Sequence, residues 1–234
     1  MTSVREKIVV FTGAGVSAES GIQTFRGDTG VWCDHAISDV ATYEGWLRDT
    51  QLVLDFYNQR RRDIAKAEPN PAHVAIAELQ SKYDVVVVTQ NIDDLHERAG
   101  SKNIIHVHGE LTKARGTDRE NTLCDIGYQD LTLESRCPNG SQLRPHVVWF
   151  GEEVLGYAEA QQHFQEASKI LVVGTSLAVF PVANLLSAAS PQAEKIIVTL
   201  DVERVPSGYQ LIREEAGSKV PHVVDCWLRS LPLD

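Results

Sequence analysis

The sequence predicts an α/β protein in which helices cover both faces of a parallel sheet and a smaller lobe is inserted into the chain. Three observations favour this fold: short apolar runs rich in β-branched residues, helical patterns between them, and two longer stretches that follow neither pattern. Runs that are apolar on both faces are typical of buried parallel strands.

The predicted elements follow in chain order. Four runs predict strands, at residues 8–12, 85–89, 170–173 and 196–200, and two shorter runs at 104–107 and 146–150 are candidates for further strands. Residues 72–79 and 158–167 have apolar side chains at helical spacing. Strands that alternate with helices in this way form a sheet with crossover connections.

Two stretches depart from the alternation. Residues of about 33–70 are helical and amphipathic and end at Pro69-Asn70-Pro71, whereas residues of about 112–145 are polar and irregular. We therefore expect a single domain, 1–234. Its large lobe comprises about 1–32, 72–111 and 146–234, and its small lobe comes from insertions at about 33–71 and 112–145. The cleft between two lobes is the usual place for a ligand.

Composition excludes several classes of protein. The 234 residues are 43% hydrophobic and carry a net charge of −10, which favours a soluble protein that attracts basic protein segments and disfavours general nucleic-acid binding. No apolar run is long enough for a membrane span or a secretory signal, so we expect a cytoplasmic protein without membrane association. The four cysteines form no C-x-x-C pair, and a disulfide framework is not expected.

A glycine motif follows the first predicted strand. Gly13, Gly15 and Ala18 give G-x-G-x-x-A between a strand and a possible helix, the setting of a dinucleotide site in a Rossmann-like sheet. The alternative is a purely structural turn. The acidic strand end expected about 20 residues later is missing, and a polar loop takes its place. In that loop Phe25 and Arg26 are candidates to cover the ligand; alternatively, Phe25 and Trp32 only anchor the loop.

Polar side chains follow the strand at 85–89. Gln90, Asn91 and Asp93 offer donors and acceptors suited to ribose hydroxyls and a carboxamide, at the strand end where open α/β sheets bind ligands. The alternative is a helix cap formed by Asn91 or Asp93. His108 precedes a glycine at the end of a short run, and an imidazole there is a candidate general base.

Taken together, the motifs resemble the sirtuin family of NAD-dependent protein deacylases. They occur in the family's order: Gly13-Ala14-Gly15-Val16-Ser17, Gly21-Ile22-x-x-Phe25-Arg26, Thr89-Gln90-Asn91-Ile92-Asp93, His108-Gly109, Val148-Trp149-Phe150-Gly151-Glu152 and Gly174-Thr175-Ser176. The resemblance implies removal of acyl groups from protein lysines, with release of nicotinamide and O-acyl-ADP-ribose. His108 would be the catalytic base.

The resemblance also implies which residues bind NAD. These are Gly13, Ala14, Gly15, Ser17, Glu19, Thr24, Phe25, Arg26, Trp32, Gln90, Asn91, Ile92, Asp93, Gly174, Thr175, Ser176, Asp201 and Ser218. Asp201 departs from the family, which often has Asn there, but a carboxylate also accepts from a ribose hydroxyl. Acylated lysine segments of proteins are the expected partners, and Val148, Trp149, Phe150 and Gly151 are expected to pair with the substrate backbone.

Two further features concern the acyl group and a metal. Tyr57 and Arg60 lie three residues apart on a predicted helix, as in sirtuins that remove succinyl and malonyl groups, and are expected to bind an acyl carboxylate. The alternative is a solvated basic face. Thr24 also matches that subgroup. Most sirtuins carry four zinc-binding cysteines after the His-Gly pair, but only Cys124 and Cys137 occur here, so a structural zinc is doubtful.

Two rival functions remain open at this stage. An ADP-ribosyltransferase or an NAD glycohydrolase would use the same nicotinamide-cleaving residues, although neither needs a substrate strand or Tyr57 and Arg60. A binding module that senses NAD or an ADP-ribose product without turnover would not need His108.

Overall fold

A six-stranded parallel sheet forms the centre of the protein. The computed structural model describes residues 5–24, 36–118 and 122–233. The strands of this sheet are β1 (Lys7–Thr12), β2 (Asp84–Thr89), β3 (Ile104–His106), β7 (Lys169–Val173), β8 (Glu194–Val198) and β9 (Gln210–Ile212). Their order is β3-β2-β1-β7-β8-β9, so β1 lies between β2 and β7 and the chain crosses over the sheet repeatedly.

Helices cover both faces of this sheet, as the sequence predicts. Side chains of β1 alternate between two cores because successive residues on a strand point to opposite faces. Ile8 and Val10 pack with α4 (Pro71–Glu78) and α7 (Ala216–Arg229), while Val9 and Phe11 pack with α6 (Tyr157–Glu166) and a 3₁₀ segment at Val182–Ala188. The expected α/β fold is confirmed, with β8 ending at Val198, two residues before the predicted end.

Among the described residues, the small lobe contains three helices and a second sheet. The helices are α1 (Ile37–Val40), α2 (Tyr43–Arg48) and α3 (Thr50–Lys66), and the antiparallel strands are β4 (Gly109–Gly116), β5 (Leu123–Asp125) and β6 (Leu143–Val147) in the order β5-β4-β6. Their shared core includes Trp46, Leu54, Leu111 and Trp149.

The second sheet corrects two expectations. The stretch 112–145, expected to be irregular, contains most of this sheet, because β4 alternates buried with half-buried polar positions and has no apolar run. The run at 146–150 does not join the parallel sheet; its first two residues end β6, which pairs with β4.

A third difference lies after β1. Two 3₁₀ turns, Ala14–Val16 and Ala18–Ser20, stand in place of the α-helix expected there. Among the described residues, the next α-helix of the parallel-sheet lobe is α4, and a short helix, α5 (Leu95–Arg98), follows β2. Within the described part of the chain, no helix has the length and apolar character needed to cross a membrane.

Candidate active site

The carboxyl ends of four neighbouring parallel strands open into a cavity of about 530 Å³, called here the large cavity. Because β2, β1, β7 and β8 are adjacent, the loops that follow them lie side by side. Predicted cofactor residues that line it are Gly13, Ala14, Gly15, Glu19, Thr24, Gln90, Asn91, Gly174, Thr175, Ser176 and Asp201. This grouping matches a ligand that extends across several strands.

The two motif glycines pack against another loop of the chain. Gly13 donates its N–H to the carbonyl of Val173 at 3.0 Å, and Gly15 donates to Gly174 at 2.8 Å. A Cβ on Gly15 would lie 2.7 Å from the Gly174 Cα. The requirement for glycine therefore comes largely from this backbone contact, whereas the sequence suggested a tight turn and close approach to a ligand.

A second cavity of about 250 Å³ adjoins the large one and shares Asn91 with it. Ser17, Ile92 and Asp93 line it. The Ser17 hydroxyl donates to Asp93 Oδ2 at 3.0 Å and accepts from Asn91 Nδ2 at 3.1 Å. Asn91 Oδ1 is buried, and no described residue hydrogen-bonds to it. A buried, unpaired carbonyl oxygen is costly unless a ligand donor satisfies it.

Asp93 forms a hydrogen bond at the start of α5 and also lines the second cavity; a role in ligand binding stays a prediction. Its Oδ1 accepts from the backbone N–H of Leu95 at 3.2 Å, at the start of α5, while its other oxygen faces Ser17 in the cavity wall. Burial raises the pKa of Asp93 to about 6, against the opposing effect of these two hydrogen bonds.

Asp93→Asn is expected to gain stability relative to wild type as the pH rises from 4 to 7. Because the pKa of Asp93 is higher in the folded state than in the unfolded state, folded wild type binds the extra proton across this range and loses stability as it dissociates. Between pH 4 and pH 7, the free energy of unfolding of Asp93→Asn should rise by about 2 kcal/mol relative to that of wild type. Urea unfolding at both pH values measures it, and a constant difference would contradict the expectation.

His108 lies where two cavities meet. It lines the large cavity and also a third cavity of about 180 Å³. Its Nδ1 is 3.1 Å from the carbonyl oxygen of Gln90. Since a carbonyl only accepts, Nδ1 carries the proton and Nε2 has the free lone pair. Burial lowers the pKa of His108, and the Gln90 carbonyl only partly offsets this, so the ring is neutral at ordinary pH.

The third cavity is lined by predicted substrate residues: Tyr57, Val148, Trp149, Phe150 and Gly151. The N–H groups of Val148, Trp149 and Phe150 are already engaged, by the His108 carbonyl, the Glu152 carboxylate and the Ala41 carbonyl respectively. A substrate backbone that pairs with this segment would therefore have to bond to the carbonyl groups of the segment or to the Gly151 N–H.

The structure does not bring Tyr57 and Arg60 into one cavity. Tyr57 lines the third cavity and accepts a hydrogen bond from Trp149 Nε1 at 3.1 Å. Arg60 lines the second cavity, with its guanidinium 3.5 Å from Asp63. Ile92 lines both cavities and stands between them. Joint binding of a carboxylate by Tyr57 and Arg60 stays a prediction. It would require the Arg60 side chain to move from the second cavity toward the third.

Other predicted residues lie elsewhere. Phe25, Arg26 and Trp32 fall outside the described residues. Ser218 lies on α7 and lines none of the three cavities; its neighbour Gly217 donates its N–H to Glu19 at 2.7 Å. Lining residues that the sequence did not indicate include Val179, Phe180, Pro181, Val198, Thr199, Leu200, Glu214, Glu215 and Ala216. Thr199 and Leu200 directly follow β8, and for these two residues that position was the available signal.

The two cysteines of the small lobe do not fit a zinc site. Cys124 lies on β5, and Cys137 is buried and hydrogen-bonded to Ser141 and Asn139. Among the described residues, the one group of three close enough to hold a metal is Glu97, His106 and Glu110, which includes neither cysteine.

Each residue of the Glu97, His106 and Glu110 group already has a partner within the protein. His106 contacts Glu97 at 2.7 Å, and Glu110 pairs with Lys113 at 2.7 Å. Burial disfavours charge on His106, but the hydrogen bond to Glu97 and the nearby carboxylates raise its pKa, which fits an ion pair.

Comparisons with known proteins agree with this geometry. The Sir2 family model matches residues 13–181. An NAD-dependent protein deacylase of Helicobacter pylori is 45% identical over 215 residues, covering 90% of this chain and 91% of the relative. One of Vibrio cholerae is 44% identical over 227 residues, covering 93% and 92%.

Solved structures are also similar. A Sir2 homologue–NAD complex superposes with a TM-score of 0.85 at 36% identity, covering 97% of this chain and 91% of that one. A Sir2 complex with a deacetylated peptide and 3′-O-acetyl ADP ribose gives a TM-score of 0.80 at 28% identity, covering 94% and 93%. Because the family model spans well over half of the sequence and the relatives align over nearly all of it, the predicted resemblance is confirmed and the chain belongs to the Sir2 family.

Proposed function

We propose that this protein is an NAD-dependent protein-lysine deacylase that removes acetyl groups and also succinyl or malonyl groups. One observation carries the proposal: His108 lines both a cavity large enough for a dinucleotide and an apolar cavity bounded by the predicted substrate strand. The relatives named as NAD-dependent protein deacylases support the same activity.

The large cavity fits NAD by its chemistry. It spans four strand ends, begins at the glycine turn, and contains amide and hydroxyl groups on Gln90, Asn91 and Thr175. The unpaired Asn91 Oδ1 offers an acceptor for a donor on the ligand. When bound, NAD would supply the ribose carbon that takes up the acyl oxygen as nicotinamide leaves, and water would complete the release of free lysine and O-acyl-ADP-ribose.

His108 and its surroundings provide the proton transfer. Its neutral Nε2 accepts a proton from a ribose hydroxyl, because Nδ1–H is fixed on the Gln90 carbonyl. The third cavity is lined mainly by apolar side chains, including Val147, Val154 and Phe180, which exclude water from the acyl group. Residues 148–151 and 179–181 both line this cavity, and we infer that acyl-lysine enters between them.

The proposal includes the setting of the reaction. The substrates are acylated lysine segments of proteins in the cytosol, and the protein does not bind nucleic acid. The net charge of −10 supports an attraction for basic protein segments and opposes binding to a phosphate backbone.

Tyr57→Phe and Arg60→Met test the acyl class. Each is expected to lower kcat/KM for a succinyl-lysine peptide about 10-fold more than for an acetyl-lysine peptide, since a hydrogen bond to a charged group contributes roughly 1.5–3 kcal/mol. Product formation is followed by mass spectrometry with and without NAD.

Arg62→Met is the matched control, because Arg62 lies on the same helix and pairs with Asp130 at the surface. Equal losses on both peptides would contradict carboxylate binding. Nicotinamide release that does not depend on any peptide would instead favour the glycohydrolase.

A further inference from the structure

Trp149 occupies a fixed position beneath the third cavity. The guanidinium of Arg144 lies 3.3 Å from the centroid of the Trp149 ring, and the Trp46 ring lies 5.8 Å away. The backbone N–H of Trp149 donates a hydrogen bond to Glu152 Oε2 at 2.8 Å. Trp149 itself is 1% exposed, so both its backbone and its indole are constrained.

Glu152 and two arginines hold this arrangement together. Arg144 makes two bonds to the Glu152 carboxylate, at 2.6 and 3.0 Å, and donates to the Val147 carbonyl at 3.1 Å. Arg115 adds a third bond to Glu152 at 2.9 Å. Paired charges in such a partly buried cluster resist displacement, because separating them would leave a charge without a partner.

The indole determines what the Tyr57 hydroxyl can do. An indole N–H only donates, so in the 3.1 Å contact with Trp149 Nε1 the Tyr57 oxygen is the acceptor. Within the described part of the chain, Trp149 is the hydrogen-bond partner of this hydroxyl. Burial strongly raises the pKa of Tyr57, so the phenol keeps its proton. That proton is left for a ligand in the third cavity, which Tyr57 lines.

We propose that Trp149 is a positioning residue for acyl specificity: its indole N–H makes the Tyr57 hydroxyl a donor toward the acyl group. An acyl chain with a terminal carboxylate receives a charge-assisted hydrogen bond, whereas an acetyl methyl group receives none. The inference rests on the proposed function and adds a residue to it, since Trp149 acts through Tyr57 without touching the acyl carboxylate.

Trp149→Phe tests the inference, because it removes the N–H but keeps an aromatic ring under Arg144. The measurement is the ratio of kcat/KM for succinyl-lysine to kcat/KM for acetyl-lysine on one peptide sequence. This ratio is expected to fall about 10-fold. Trp46→Phe keeps an aromatic ring against Trp149 and leaves the Trp149 indole N–H in place, so it is the matched control and should leave the ratio within two-fold.

A double-mutant cycle separates this role from packing. In a Tyr57→Phe background, Trp149→Phe should not lower the ratio further, because the hydroxyl it orients is gone. Full additivity of the two changes would overturn the proposal. If Trp149→Phe does not fold, site-specific incorporation of 3-benzothienylalanine at position 149 replaces N–H by sulfur at nearly the same shape and should give the same fall.

The two proposals fail differently. Wild type that removes acetyl but no succinyl or malonyl groups would sink the proposed acyl class. If wild type removes succinyl groups and Trp149→Phe leaves the succinyl-to-acetyl ratio of kcat/KM unchanged, only the role of the indole is contradicted.

Discussion

Replacing His108 by alanine is expected to lower kcat for deacylation about 10³-fold, the size of effect that a positioned general base contributes. His108 is the only imidazole among the described residues that line the large and third cavities, so no neighbour can take over the proton. Single-turnover assays with an acetyl-lysine peptide at saturating NAD measure the loss. NAD affinity, measured by calorimetry, should change much less than kcat.

The pH profile gives an independent check on His108. Its neutral form is the base, and burial lowers its pKa in the folded protein, so activity should be lost only as the pH falls below 6.5, the ordinary value for histidine. His163→Ala, a change at a histidine on α6 outside the three cavities, is the control and should keep activity within two-fold. Substantial turnover in His108→Ala, or an acidic limb above pH 6.5, would contradict the assignment.

Gly174→Ala is expected to lower the free energy of unfolding by about 3 kcal/mol or more. Gly174 has φ +62, and a Cβ there would lie 2.2 Å from the backbone nitrogen of Val16. Two costs add: the left-handed conformation and the displacement of the glycine turn after β1. Because both loops line the large cavity, NAD affinity should fall as well.

Gly127→Ala separates these two costs. Gly127 has φ +56 and open space where a Cβ would sit, so alanine there should cost only about 1–2 kcal/mol. Urea unfolding of both variants gives the comparison. Equal losses would mean that the contact between the two loops contributes little.

Most of the parallel sheet could be predicted from sequence because burial on both faces leaves continuous apolar runs, whereas the edge strand β9, which has no fully buried residue, was not predicted. The small sheet could not, since β4 is half polar and has no apolar run to mark it. The same limit applies to Tyr57 and Arg60. Helical spacing places them near each other on α3, but Ile92, from the loop after β2, separates the cavities they line. Contacts between residues far apart in the chain decide such details.

The role of the glycine motif shows the same limit in another form. The sequence identifies Gly13 and Gly15 as a turn, but the reason for glycine at 15 is the backbone of Gly174. Residues that lie directly after strands, such as Gln90 and Asn91, were predictable because strand ends share one edge of the sheet. Glu214–Ala216 were not, because their place in the cavity depends on how α7 packs.

Glu19 accepts a hydrogen bond from the N–H of Gly217 in the first turn of α7. The residues that line the large cavity range from Gly13 near the start of the chain to Ala216 at the start of α7. During synthesis, a chain still attached to the ribosome therefore lacks one side of its nucleotide pocket until nearly all of these residues have emerged. Intermediates that stop before α7 would have the glycine turn and His108 in place and still hold the dinucleotide poorly, which delays ligand-assisted stabilisation until translation is almost complete.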